Sequence, residues 1–242
     1  MLKRKINEFI TGKVGTNNGL NRDEWIENQL SNIQEGSSIL DAGAGEGKYK
    51  KFCEHLNYTS QDIAEYDGSG DGTGIQTKER NYERLDIISD IINIPVSDNN
   101  FDNIMCIEVI EHVPNPLEAI KEIHRILKKG GSLILTAPFN SLTHYAPYHY
   151  STGFSRYYYQ HHLENLGFEI EEIIPNGNYF EYLAQEVRRI KNVALQYSAK
   201  NLNIFFKIGI YLVLVLLGSL SKKDEGSHEL LNFGYFVKAK KR

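Results

Sequence analysis

The sequence predicts an α/β protein built on a doubly wound, largely parallel sheet, and two observations carry the prediction. A short apolar run, Ser38 to Ala42, passes through the acid Asp41 and then turns through Gly43, Gly45 and Gly47 into a helical spacing. Beyond it, strand-length apolar runs alternate with amphipathic helical ones as far as residue 138. Repeated strand–helix–strand crossings require a parallel sheet with helices on both faces.

The bulk numbers bound the rest. A chain of 242 residues, 41% hydrophobic and 24% charged, suits one full core with an insertion. A net charge of −4 makes no electrostatic case for nucleic acid as a partner. The two cysteines, Cys53 and Cys106, sit in apolar contexts without metal-ligand spacing, which fits a reduced, cytoplasmic compartment. The basic start Met1-Leu2-Lys3-Arg4-Lys5 is not followed by the apolar run of a signal peptide.

Taken in order, residues 1–21 are polar and glycine-rich and read as an arm. A helix is expected over Arg22–Ile33, with Ile26, Leu30 and Ile33 on one face and Gly36 ending it. The first strand and the glycine turn follow, then a helix on which Tyr49, Phe52, Cys53 and Leu56 share a face. Tyr58–Gln61 reads as the second strand. Asp62 stands at its carboxyl end, 21 residues after Asp41, where an acid can accept from a ribose diol. Residues 66–82 break the pattern: Tyr66-Asp67-Gly68-Ser69-Gly70-Asp71-Gly72-Thr73-Gly74 has no apolar period and reads as a loop. Leu85–Asp90 should be the third strand, with Asp90 at its exit, and Phe101–Ile107 the fourth. A helix is then marked by Asn115 as cap, Pro116 at the first position and Glu118 as partner in a capping box. Leu117, Ile120, Ile123 and Leu127 form its apolar stripe, Lys128 and Lys129 lie at its negative end, and Gly130 stops it. Ser132–Ala137 is the fifth strand, and Ser155–Leu166 a further helix closed by Gly167.

The glycine spacing departs from the dinucleotide fingerprint, because Lys48 occupies the place of its third glycine. Asp41-Ala42-Gly43-Ala44-Gly45-Glu46-Gly47 instead resembles the first motif of the class I S-adenosylmethionine-dependent methyltransferases. Phe101-Asp102-Asn103-Ile104 with Ile107-Glu108-Val109-Ile110-Glu111-His112-Val113 resembles their fourth-strand signature, in the branch that holds the ubiquinone-biosynthesis type and many sugar and cell-envelope enzymes. The resemblance covers residues of about 22–138, with closing strands at 168–174 and 233–239. It implies a seven-stranded Rossmann-like sheet whose last strand is antiparallel. It also implies that Gly43, Ala44, Gly45 and Gly47 shape the methionine end of the cofactor site and that Asp41 orients that loop. Asp62 and Ile63 would lie at the ribose, Asp90 and Ile91 at the adenine, and Glu108 beside the methyl group.

A hydroxyl acceptor is helped by a base with a pKa near neutrality. The aromatic segment after the fifth strand, Pro138 to Tyr150, begins at the sheet's ligand-binding edge and offers His144 and His149. His112 and Glu111 read as parts of the turn after the fourth strand. No clustered ligands imply a metal.

Residues 177–230 read as a helical insertion between segments 22–176 and 231–242 of the cofactor-binding domain. One helix carries Leu183, Val187, Ile190 and Ala194. A second, Leu202 to Leu220, is apolar for nineteen residues apart from Lys207. One membrane crossing would strand residues 233–239 on the wrong side of the sheet. The segment is therefore a buried lid, a homodimer helix, or a helix lying in a membrane surface. The reading overall is an enzyme, cytoplasmic or peripheral to the membrane from that side, that methylates oxygen or nitrogen of a small molecule, a sugar or a lipid-linked glycan. Two alternatives remain open: a cofactor-binding subunit without activity, and an NAD-dependent oxidoreductase.

Overall fold

The computed structural model describes residues 13–77, 79–82, 85–198 and 201–242, so that most of the expected N-terminal arm lies outside the described residues. The chain forms two compact units. One comprises Asp23–Ile174 with Gly234–Arg242, and the other the described residues up to Arg22 with Pro175–Phe233.

The first unit holds the sheet. Its strands are β1 (Ser38–Ala42), β2 (Asn57–Asp62), β3 (Ile87–Ile88), β4 (Phe101–Ile107), β5 (Leu127–Pro138), β6 (Phe168–Asn176) and β7 (Gly234–Lys241), and they stand in the order β3-β2-β1-β4-β5-β7-β6. β1 to β5 pair in parallel, and β7 runs antiparallel to β5, from Ser132 opposite Lys240 to Pro138 opposite Gly234. This is the fold class expected from the sequence. The pleat sends successive side chains to opposite faces. Leu40, Ile104, Leu133 and Leu135 pack with Ile120, Ile123 and Ile126 of helix α2 (Pro116–Ile126) and with Tyr159 and Leu163 of α3 (Arg156–Asn165). Their neighbours Ile39, Met105 and Ile134 pack on the other face with Ile26 and Leu30 of α1 (Asn18–Ser31).

Several local expectations need correction. The helix placed after the glycine turn is only a 3-10 turn, Lys50–Phe52. Tyr49, Cys53 and Leu56 are still buried, so a chain of tight turns delivers the same face. Leu85–Asp90 shortens to a two-residue strand, Ile87–Ile88. Asn115 is the cap of α2, but its side chain makes no capping bond, and Glu118 instead pairs with Lys121 at 2.8 Å. The helix stops before Lys128, because Leu127 is already extended (φ −75°, ψ 134°) and opens β5. Lys128 then reaches Asp102 at 2.7 Å. Asp102 also accepts from the backbone and hydroxyl of Ser38 at 3.0 and 2.6 Å, tying the starts of β1, β4 and β5 together.

The second unit is built on two helices, α4 (Tyr179–Ser198) and α5 (Ile204–Ser221). They meet through Ala184, Leu214 and Leu217, with Val14 completing a small core.

Candidate active site

The carboxyl ends of β1, β2 and β4 frame a cavity of about 390 Å³. Its walls are Gly43, Gln61, Asp62, Ile63, Asp90, Ile91 and Glu108, with Glu65, Tyr66, Arg80, Tyr82, Val109, His112, Tyr145, Tyr148 and Tyr150 around them. Of the residues singled out by sequence, Gly43, Asp62, Ile63, Asp90, Ile91 and Glu108 line it.

The floor is the glycine turn, and hydrogen bonds from β2 shape it. The amides of Gly43 and Ala44 both donate to the Gln61 carbonyl at 2.8 Å. The amide of Gly45 donates to Asp62 Oδ2 at 2.8 Å. Gly43 has φ +80°, and a Cβ there would sit 2.4 Å from Val109 Cγ2. The absence of a side chain is what lets the end of β4 close against the turn. Gly47, also left-handed at φ +74°, faces more open space.

Asp62 accepts a second amide, from Ala64 at 2.9 Å. A carboxylate offers about four lone-pair sites, so roughly two remain for a ligand. Asp41 is buried behind the turn, and its Oδ2 accepts the Tyr58 hydroxyl at 2.8 Å. Burial pushes its carboxyl up to about 7, against the opposing effect of that hydrogen bond. Glu108 leaves β4 in a left-handed conformation, φ +55°, and accepts from the Thr136 hydroxyl at 3.0 Å. A non-glycine residue in that region is rare and stores strain at the cavity wall.

The glycine-rich loop after β2 acquires a role that its sequence did not show. Its amides and those of the aromatic segment interlock. Ile75 donates to Thr143 and Tyr145 to Ile75, both at 3.0 Å, and Asp71 donates to Ala146 at 3.1 Å. A Cβ at Gly74 would meet the Thr143 carbonyl at 2.6 Å, so glycine permits this backbone-to-backbone packing. Asp67 and Asp71 accept amides within the loop itself. Arg80, just beyond, lies over the rings of Tyr66 and Tyr145 at 5.3 and 4.8 Å. Sequence reasoning missed Arg80 and Tyr82, which stand in a stretch without period.

His144 and His149 are brought together with His112. The ring of His144 lies 4.6 Å from that of His112 and 4.8 Å from that of His149, centroid to centroid, and His112 stacks on Tyr145 at 5.0 Å. The His112 ring accepts no charge at neutral pH: burial, with His144 beside it, pushes its pKa down to about 3. Its Nδ1 meets the Tyr148 carbonyl at 2.6 Å. Burial also lowers His149. One ring nitrogen from each of the three histidines lies within 4.8 Å of the others, a spacing from which a metal ion could be held.

Comparison with known proteins bears on this geometry. Residues 20–173 match the family described as the methyltransferase domain. The chain belongs to that family. It is a class I member, and its cofactor is S-adenosylmethionine. A demethylmenaquinone methyltransferase of Staphylococcus epidermidis is 28% identical over 114 residues, 46% of this chain and 47% of the relative. A tRNA carboxymethyltransferase of Campylobacter curvus is 30% identical over 105 residues, 42% of this chain and 34% of the relative. The match thus spans less than half the length of either curated relative. Among solved structures, a SAM-dependent methyltransferase from Archaeoglobus fulgidus shares the fold, with a TM-score of 0.52 and 18% identity over 90% of this chain and 94% of that one.

The described residues fit the cofactor. Gly43 and the carboxylate residues Asp62 and Asp90 line a cavity of ligand size, within the usual range of about 300–1,000 Å³.

Proposed function

We propose that the chain is an active S-adenosylmethionine-dependent methyltransferase that acts in the cytoplasm on oxygen or nitrogen of a small molecule, a sugar or a lipid-linked glycan. The observation that carries this reading is one cavity lined by Gly43 of the glycine turn, by the carboxylate residues Asp62, Asp90 and Glu108, and by His112, Tyr66, Tyr145 and Tyr148. Bound there, the cofactor supplies an activated methyl group. Gly43, Ala44, Gly45 and Gly47 cradle its amino-acid end, with Asp41 supporting the strand beneath them. The free lone pairs of Asp62 take the ribose hydroxyls beside Ile63. Asp90 and the Ile91 amide take the adenine edge. Glu108, fixed by Thr136, borders the transfer point.

Alignment and exclusion of water are most of what an in-line methyl transfer requires. Tyr66, Tyr145, Tyr148 and Tyr150 supply the apolar walls. His149 and His144 are the groups that draw the acceptor's proton, and His149 is neutral and therefore able to accept at pH 7. A net charge of −4 does not favour a polyanionic acceptor.

The experiment is transfer of tritium from methyl-labelled S-adenosylmethionine into cell extract, split into organic and aqueous phases. Label in a lipid or small-molecule fraction, reduced by His149→Ala without loss of cofactor affinity, supports the reading. Cofactor binding with no labelled acceptor in any fraction would support a subunit that binds the cofactor without activity.

A further inference from the structure

The three histidines beside the cavity are arranged as ligands rather than as a single base. A backbone carbonyl can only accept, so the Nδ1 of His112, 2.6 Å from the Tyr148 carbonyl, carries the proton and leaves Nε2 with the lone pair. The Nδ1 of His144 is fixed in the same way by the Leu142 carbonyl at 2.9 Å. Such backbone bonds set the tautomer of metal-binding histidines. Among the described residues the buried Nε2 of His112 and both ring nitrogens of His149 have no hydrogen-bond partner, Glu111 Oε1 standing 3.7 Å from the first, beyond hydrogen-bonding distance. Buried nitrogens without a partner are costly, and one ring nitrogen of each histidine lies within 4.8 Å of the others. With zinc–nitrogen bonds of about 2.0–2.1 Å in a tetrahedral site, ring centroids fall about 5 Å apart. The observed separations are 4.6, 4.8 and 6.1 Å. Ligand nitrogens, now within 4.8 Å of one another, would end about 3.4 Å apart, so each pair closes by at most about 1.4 Å.

We propose that His112, His144 and His149 bind one divalent transition-metal ion, of which zinc suits three neutral imidazoles, with a fourth position open to the cavity. Three imidazoles with an open place are the donor set of a catalytic rather than a structural site. His112 itself lines the cavity, so an oxygen or nitrogen donor of the acceptor can reach that place. The inference rests on the methyltransferase reading and changes the part played by His144 and His149 from base to ligand. It departs from the sequence expectation of no metal, because 32 residues separate His112 from His144 and only the fold joins them.

The test is zinc titration of the full chain against a chromophoric chelator, with Co2+ absorption as a second readout and S-adenosylhomocysteine titration on the same sample. One zinc per chain at micromolar affinity or better is expected, with intense tetrahedral Co2+ bands, and a loss of 100-fold or more in His144→Ala/His149→Ala. Absence of zinc binding to the wild type, or binding unchanged in the double variant, overturns the proposal. If S-adenosylhomocysteine still binds, the methyltransferase reading survives that failure. The wild-type Co2+ spectrum decides the matter even if the double variant does not fold.

A separate observation concerns the second unit. From residue 202 to 223 the sequence has Lys207, Lys222 and Lys223 and no Asp or Glu, in a chain whose net charge is −4. Within it α5 has a mean hydropathy of 2.2 over 18 residues, yet only 11% of it is buried. Ile210, Leu214 and Leu217 face α4, while Phe205, Phe206, Ile208, Leu212, Val215 and Leu216 are exposed. At 100° per residue the exposed apolar positions sweep an arc of about 200°. β6 and β7, before and after the insertion, are neighbours in one sheet, so an odd number of crossings between them is excluded. α4, with Glu181, Glu186, Arg188, Arg189 and Lys191, is no second span.

We infer that α5 lies in the surface of an anionic bilayer, its apolar arc among the acyl chains and the exposed Lys207, Lys222 and Lys223 at the headgroups. Two copies meeting on this face would oppose like charges, which disfavours a dimer. RNA would not cover the apolar arc. Sedimentation with vesicles of phosphatidylcholine alone, or with one-third phosphatidylglycerol, tests it. Binding at least tenfold stronger to the anionic vesicles, weakened by salt and lost in Phe205→Glu/Phe206→Glu, is expected. A stable dimer without vesicle binding, or capture by tRNA in preference to vesicles, overturns it.

Discussion

The amide of Gly45 donates to the carboxylate of Asp62, 2.8 Å away, so the glycine turn and the end of β2 are one hydrogen-bonded unit. Asp62→Ala therefore removes the turn's anchor together with the proposed ribose acceptor. The expected loss of S-adenosylhomocysteine affinity is about 1.5–3 kcal/mol, or roughly 10- to 150-fold, read by calorimetry. Unchanged affinity would remove Asp62 from the site.

Gly43 is held to glycine twice over, by its left-handed φ and by Val109. Gly43→Ala should cost about 1–3 kcal/mol of stability and weaken cofactor binding with it. Adding Val109→Ala should recover part of the stability, because it relieves the clash but not the backbone strain. No recovery would show that Val109 is not the obstacle.

How much of this the sequence discloses depends on the range of the interaction. β4 is legible to the residue, because Phe101 follows the turn residues Ser97–Asn100 and Ile104–Ile107 is an unbroken apolar run. Asp62, Asp90 and Glu108, expected near strand exits, line the cavity, whereas Asp41, Ala44, Gly45 and Gly47 do not. The helix after the glycine turn is not legible, because Tyr49, Cys53 and Leu56 must face the core whether the chain coils or turns, and only fourteen residues separate β1 from β2. The place of Lys128 turned on where a helix stops, which neighbouring strands decide. Arg80 and the Tyr148 bond to His112 are long-range contacts in aperiodic loops, with no local signal at all.

Asp41 carries a pH signature. Its carboxyl stands near 7 in the folded protein against an ordinary 3.8, so the folded state binds the extra proton between those values. Stability from this group is full below about 3.8 and is lost as pH rises to about 7, by roughly 4 kcal/mol in all. Asp41→Asn removes the titration. The stability of Asp41→Asn relative to wild type, from denaturant midpoints, should grow between pH 5 and pH 8. A constant difference would contradict the assignment.

Lys241, near the end of β7, donates from Nζ to the carbonyls of His124 and Leu127 at 2.6 and 2.8 Å, capping the end of α2. Lys241→Met keeps the stem but leaves buried carbonyls without a donor. A loss of about 1–3 kcal/mol in urea is expected, with cofactor affinity unchanged. A loss of affinity equal to the loss of stability would argue that β7 supports the site directly.

The measurement that bears most directly on the whole account is calorimetric titration of the full chain with S-adenosylhomocysteine, with NAD as control. Micromolar, one-to-one binding of the first is expected, abolished or strongly weakened by Asp62→Ala, and none of the second. Silence with S-adenosylhomocysteine, or binding indifferent to Asp62, would mean that the glycine turn is only a turn and the cavity serves another ligand.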